Sequence, residues 1–179
     1  MSSWLNSSAR VLHSSRLPPK ATRDQAIAML HDHTFFLKCD PHLSTFDVLT
    51  PSSPPEVPST IRPANPTKCY TVTDIVHTIP AGLWDSKVVS TYEITDTPAG
   101  LFVRIKSPLS IVMDTVWEIQ EVEGSADEAG VWELVEDIEI RCSRLLVGVV
   151  KSQCEGGWEK IHAKMLGRLE DEVKAGEGK

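Results

Sequence analysis

Two acidic residues sit where strand alternation would bury them, and each is a side chain able to move a proton. Glu136 shares a face with Trp132, Leu134, Ile138 and Ile140, and Asp74 falls between Val72 and Val76. Burial penalises the charged form of a carboxylate, so its pKa climbs toward the range useful to a general acid or base. The alternative at both positions is a bulge or bend that turns the side chain to solvent. His162 follows Ile161 beside an apolar helical stripe, and imidazole exchanges protons near neutral pH. A histidine there can equally be a core residue satisfied by one hydrogen bond. If the chain is an enzyme, Glu136, Asp74 and His162 are its candidate catalytic groups.

The densest set of metal-ligating types is His31-Asp32-His33 with Cys39, Asp40 and His42 nearby. Helical residues two apart point about 200° apart, so His31 and His33 cannot share an ion on one helix. This segment reads as polar helix surface followed by a turn at Asp40-Pro41, and no metal is expected. No P-loop, dinucleotide fingerprint or nucleophile elbow occurs, so no cofactor is expected either. Tyr70, Tyr92, Trp84, Trp117, Trp132 and Trp158 offer flat apolar surface with a few donors, which suits a ring-containing ligand or ordinary core packing.

These residues need elements to position them. An N-terminal stretch, 1–9, is small and polar and reads as flexible; Arg10 to Leu17 is a β-compatible segment stopped by Pro18-Pro19. Thr22 and Gln25 form a capping box ahead of one helix carrying Ala26, Ile27, Leu30 and either Thr34 or Phe35, with Leu37 completing the apolar face. Phe46 to Thr50 is a short strand. Six of the 12 prolines (51, 54, 55, 58, 63 and 66) then fall within residues 50–68, a semi-rigid loop inside the domain. Four alternating segments follow: Cys69 to Ile79, Lys87 to Thr95, Leu101 to Lys106 and Ile111 to Val122, separated by Pro/Gly turns. After a polar loop, Val131 to Cys142 alternates again. Then the period changes: Cys154, Trp158, Ile161, Met165, Leu169 and Val173 recur at helical pitch. Gly156-Gly157 sets the expected helix start near Glu155, with Leu145 and Val149 as a possible extension of the stripe.

The order is that of one α+β domain over residues 10–175. A long meander of antiparallel strands must curl, and the terminal helix is the only element long enough to cover its apolar face. Space between sheet and helix is where a small apolar molecule would go. Tyr92, Met113, Trp117, Trp132, Trp158, Ile161 and Met165 are the candidate ligand-binding residues.

The stretch Pro80-x-Gly82-Leu83-Trp84-x-Ser86-x-Val88, then Thr91-Tyr92-Glu93-Ile94, Asp96-Thr97-Pro98-x-Gly100-Leu101 and Pro108-Leu109-Ser110 with Asp114-Thr115-x-Trp117, resembles a family of fungal proteins. That family is similar to the helix-grip superfamily of START lipid-transfer domains, plant pathogenesis-related allergens and aromatic polyketide cyclases. The resemblance implies a curved antiparallel sheet of about six or seven strands wrapped around a long C-terminal helix. It also implies a cavity for a sterol, lipid or polyketide-like compound. No catalytic signature of the superfamily maps onto a numbered residue.

Three functions fit: a carrier of a small hydrophobic molecule, a cofactor-independent cyclase or isomerase of specialised metabolism, and a protein-interaction module using the outer sheet face or the proline loop. A net charge of −7 opposes nucleic-acid binding, and no apolar run is long enough to span a bilayer. Four irregularly spaced cysteines, Cys39, Cys69, Cys142 and Cys154, read as free thiols of a cytoplasmic protein. The acid-free, serine-rich first 23 residues make a mitochondrial destination the alternative.

Overall fold

The computed structural model describes residues 6–77, 85–122 and 131–177. The expected turn at Pro80-Ala81-Gly82, Trp84 and the polar loop 123–130 lie outside the described residues.

Seven strands form one antiparallel sheet: β1 (Asn6–Arg16), β2 (Leu43–Leu49), β3 (Lys68–His77), β4 (Asp85–Thr97), β5 (Gly100–Ser107), β6 (Ile111–Glu121) and β7 (Trp132–Ser143). Their order is β1-β7-β6-β5-β4-β3-β2, so a run of meander pairings from β2 to β7 is closed at one edge by the first strand. The sheet curves around the long helix α3 (Val147–Glu177), and α1 (Arg23–His31) and α2 (His33–Lys38) complete the layer on its concave side.

The first strand begins at Asn6 rather than Arg10, so residues 6–9 are not a flexible tail. β7 continues to Ser143 and supplies a partner for each of them, Asn6 opposite Ser143 through Ala9 opposite Ile140. The capping box is present: the Gln25 backbone N–H donates to Thr22 Oγ1 (3.2 Å) and the Thr22 N–H to Gln25 Oε1 (2.9 Å). The single helix expected after it is two. Asp32 leaves helical geometry and accepts from the Phe35 N–H (3.1 Å), so a side chain that competes for backbone donors ends α1 and starts α2.

The terminal helix starts at Val147, a full two turns before Glu155. Two glycines cost about 1 kcal/mol each in a helix interior. Leu146, Val147 and Val150 offset that cost by packing against Val11, Ile138, Ile140 and Cys142. The stripe continues through Val150 and Leu146, four residues apart; Leu145 and Val149 are one step out of phase and remain exposed.

The main core joins Leu30, Leu37, Met165 and Leu169 from the helices to Val72, Ile94, Leu101, Val103, Ile119 and Leu134 from the concave sheet. The proline-rich segment lies against the opposite, convex face. There Arg104 Nη1 donates to the Glu56 carbonyl (2.9 Å), and the Ala64 N–H donates to that of Asp96 (2.7 Å). Under this cover the outward-facing Thr95 and Phe102 are buried. No helix among the described residues is long and apolar enough to cross a membrane.

Gly100 is required by a close approach: a Cβ there would lie 2.0 Å from the Trp117 carbonyl oxygen. Around Gly156 and Gly157 a Cβ meets nothing within 4 Å. Gly156→Ala and Gly157→Ala should therefore each raise stability by about 0.5–1 kcal/mol. Gly100→Ala should lower it by about 1–3 kcal/mol or more. Urea unfolding midpoints check both; equal effects at the three positions would refute the assignment.

Candidate functional site

Strand β1 points Val11, His13 and Ser15 into the concave side, and β7 points Leu134, Glu136, Ile138 and Ile140 the same way. The β1–β7 register sets His13 directly opposite Glu136, and the β6–β7 register sets Trp117 on the other side of Glu136. Directly opposed side chains on one face lie close enough to touch. No bulge interrupts β7 here, so Glu136 faces inward and is 6% exposed.

The carboxylate is partnered. Being acceptor-only, Glu136 Oε2 receives the Nδ1–H of His13 at 2.9 Å. That bond fixes a tautomer with the lone pair on His13 Nε2, an atom without a hydrogen-bond partner among the described residues. Helix α3 lays two more rings over the row. Trp158 stacks on His13, with centroids 4.7 Å apart and planes 9° from parallel. His162, 1% exposed, joins Ser15 Oγ through Nδ1 at 2.8 Å and brings Nε2 to 3.8 Å from Glu136 Oε2. That Nε2 is buried with no hydrogen-bond partner among the described residues. Trp117 and Trp158 flank the His162 ring at centroid distances of 5.5 and 5.1 Å.

The other candidates are spread along the same face. Asp74 lies near Tyr92, away from the Glu136 row, and its Oδ1 is buried without a partner among the described residues. Burial first, then repulsion from Asp40, pushes its pKa up to about 6. Burial also pushes the Tyr92 hydroxyl well above its usual range, with Asp74 adding to the effect. Tyr92, Met113, Trp158 and Ile161 are half-buried, whereas Trp117 and Met165 are fully packed in the core. Trp132 sits at the β7 end beneath the Arg23 guanidinium, 5.8 Å from its ring centroid. Cys154 reaches Met113 Sδ at 4.0 Å, and burial raises its thiol to about 12. Thus Glu136 and His162 meet, while Asp74 stands apart.

The histidine segment is not polar helix surface. His33 is buried between Asp96 (2.8 Å to Nε2) and Tyr70 (3.0 Å to Nδ1), and His31 Nε2 donates to the Gly100 carbonyl at 2.9 Å. Burial opposes ionisation of Asp96, but hydrogen bonds from His33 and Asn65 outweigh it and hold the carboxyl below its ordinary value. This cluster ties α2 to the sheet and to the proline-rich loop. Among the described residues no three His, Cys, Asp or Glu side chains converge as metal ligands. All four cysteines are free thiols.

A hollow of about 730 Å³ lies on the convex face under Glu56–Ile61 and over Arg10, Arg104, Asp114, Asp137, Glu139 and Arg141. Its arginines are already engaged. Arg104 and Arg141 both bond Asp114, at 2.7 Å each for the closest atoms, and Arg10 bonds Asp137. Burial works against the Asp114 charge, yet the two guanidinium hydrogen bonds lower its pKa overall. No donor fork is left open for an anion.

Sequence reasoning missed His13 and Ser15. Their signal was the alternation of Val11, His13, Ser15 and Leu17 within a segment read only as a polar strand.

A seven-stranded antiparallel sheet curved around a long C-terminal helix is the helix-grip fold. The chain belongs to the family described as Domain of unknown function (DUF7053), which it matches over residues 6–171. Among solved structures it is similar to a conserved protein from Geobacillus kaustophilus, at 15% identity over 93% of this chain and 96% of that one, with a TM-score of 0.54. It is also similar to Ara h 8.0201, at 12% identity over 92% of this chain and 99% of that one, with a TM-score of 0.50. Both likenesses concern the fold. No curated protein matches the chain by sequence.

The raised pKa of Asp74 makes folding proton-linked. Because the folded state holds its proton to about pH 6 while an unfolded Asp releases it near 3.8, stability falls as pH rises through that window. Asp74→Asn should therefore be about 1–3 kcal/mol more stable than the parent at pH 8 and nearly equal to it at pH 4. Urea denaturation at the two pH values checks this, and an equal effect at both would refute it.

Proposed function

We propose that this domain binds or carries a small hydrophobic molecule, of the lipid, sterol or polyketide-like class, between the concave sheet and α3. The polar group of that molecule sits against His13. One observation carries the reading: His13 is held by Glu136 in a single tautomer, with its ring faced by Trp158 and its Nε2 unengaged among the described residues. Folding alone gains nothing from an unfilled acceptor on a nearly buried ring. A ligand hydroxyl would complete it.

Further support comes from Tyr92 and Cys154. Both are deep enough for burial to raise their pKa values strongly, yet both keep accessible surface. We read that retained surface as facing space between the sheet and α3. Tyr92, Met113, Trp158 and Ile161 are the residues assigned to touch the ligand, over a floor of Trp117 and Met165, with Trp132 at one end. Four free, unpaired thiols suit a reducing compartment, and a cytoplasmic location is the reading adopted over a mitochondrial one.

The second reading is a cofactor-independent cyclase or isomerase of fungal specialised metabolism. It is favoured by the same pair: a carboxylate that orients an imidazole leaves Nε2 as a general base, with His162 close by and Asp74 as a separate acid. Here Glu136 would orient and His13 would take the proton.

Native mass spectrometry of the protein from its own source should release one small apolar molecule. Stripped protein should then rebind it with quenching of Trp158 emission, and His13→Gln should weaken binding about tenfold, the loss of one hydrogen bond. Release of the molecule unchanged after prolonged incubation supports carriage, whereas conversion abolished by His13→Gln supports catalysis. Protein that carries nothing and quenches with no apolar compound would end both readings.

A further inference from the structure

We propose that one end of the fold, built from the β5–β6 turn and the entry to α3, docks on an anionic lipid surface. At the tip of that turn Leu109 is 73% exposed, and Leu109 and Ser110 both adopt positive φ, 61° and 58°. Paired positive-φ residues are the pattern of hairpin turns usually built from Asn-Gly, and a leucine there carries a steric cost. The chain accepts that cost to hold an apolar side chain in water, which adds nothing to the core.

Two more apolar side chains stand beside it. Leu145 is 90% exposed and Val149 is 58% exposed. They belong to the same end because Ile111, just beyond the turn, packs with Leu146, Val147 and Val150 in one cluster. Each exposed residue is thus the immediate or near neighbour of a member of that cluster, pointing the other way.

Charge selects the occupant. The chain holds 25 acids against 18 bases, yet residues 105–113 and 140–154 contain no acid and carry Lys106, Arg141, Arg144 and Lys151. Lys106 and Arg141 are paired within the sheet, to Glu93 and Asp114, so the charge this end can offer rests on Arg144, which is unpaired among the described residues, and on Lys151, whose partner Glu155 is itself exposed. Arg144 is exposed and has no ion pair among the described residues, and the Lys151–Glu155 contact is a solvent-exposed pair at 3.4 Å. Apolar tips flanked by bases are how a soluble surface meets an anionic membrane interface: the leucines enter the headgroup boundary and the cations meet phosphate or carboxylate. The remaining acidic surface is repelled, so this end is the one turned to the lipid. A second copy on the same patch would set Arg144 and Lys151 against their own kind, which disfavours a symmetric dimer.

Sedimentation of the full chain with large vesicles tests the proposal, using pure phosphatidylcholine and a mixture containing about one-third phosphatidylserine. At low salt the protein should pellet at least about tenfold more with the anionic vesicles, and about 0.5 M salt should remove most of that binding by screening. Leu109→Ser, Leu145→Ser and Arg144→Gln should each reduce it several-fold, and the double leucine variant about tenfold or more. These side chains are exposed, so unchanged circular dichroism and unchanged Trp158 quenching by an interior ligand separate this result from failure of ligand binding. No preference for anionic vesicles would overturn the proposal. So would a concentration-dependent dimer in sedimentation velocity that the leucine variants abolish, since the patch would then belong to a second copy.

Discussion

The pairing of the first strand with the last is the constraint on which the rest of this structure depends. It joins residues more than a hundred positions apart in the chain, so it carries a large loop-closure cost before it contributes anything. The continuous register from Asn6–Ser143 to Arg16–Glu133 and the seating of α3 over the junction offset that cost. Slipping β1 by one residue would turn His13 and Val11 to solvent and bring Arg10 and Leu12 inside. The same register sets His13 opposite Glu136, so closure of the sheet and assembly of the polar site are one event.

A carboxylate inside a core is a costly arrangement, since desolvation works against its charge. Here the cost is contained by complete pairing on one side only: Glu136 is served by His13 and approached by His162, and His162 by Ser15. Trp158 stacks on the His13 ring and, with Trp117, flanks that of His162. What is left over is Nε2 of each histidine, neither with a hydrogen-bond partner among the described residues, and that of His162 is sealed from solvent. By contrast His33, Asp96, Tyr70 and Asn65 satisfy one another, and that cluster serves to hold α2 and the proline-rich loop in place. The two histidine groups thus divide, one with its members satisfied and one with two ring nitrogens unpartnered among the described residues.

The convex face is closed by a different means. A sheet with one face against a helix layer ordinarily leaves the other to water. In this chain the proline-rich loop lies over part of it, and its backbone is bonded to Arg104 and Asp96. Prolines are well matched to such a covering segment, because they hold an extended path without needing ladder partners and lose little entropy in being fixed. The loop therefore acts as a cover over that part of the sheet.

Strand alternation and helical periodicity, read from residues alone, determined the element order, the inward face of β6 and β7, and the apolar stripe of α3, because those depend only on local repeat length. The capping box at Thr22 was legible for the same reason. Alternation also raised the question of Glu136 but could not answer it, since a bulge and a regular strand share one sequence pattern. Only the tertiary structure decided that His13 lies opposite Glu136, that Asp32 splits a helix, and that α3 begins at Val147 through packing strong enough to outweigh two glycines. Register and long-range packing are energies between distant segments, and no local spacing encodes which distant partner a side chain will meet.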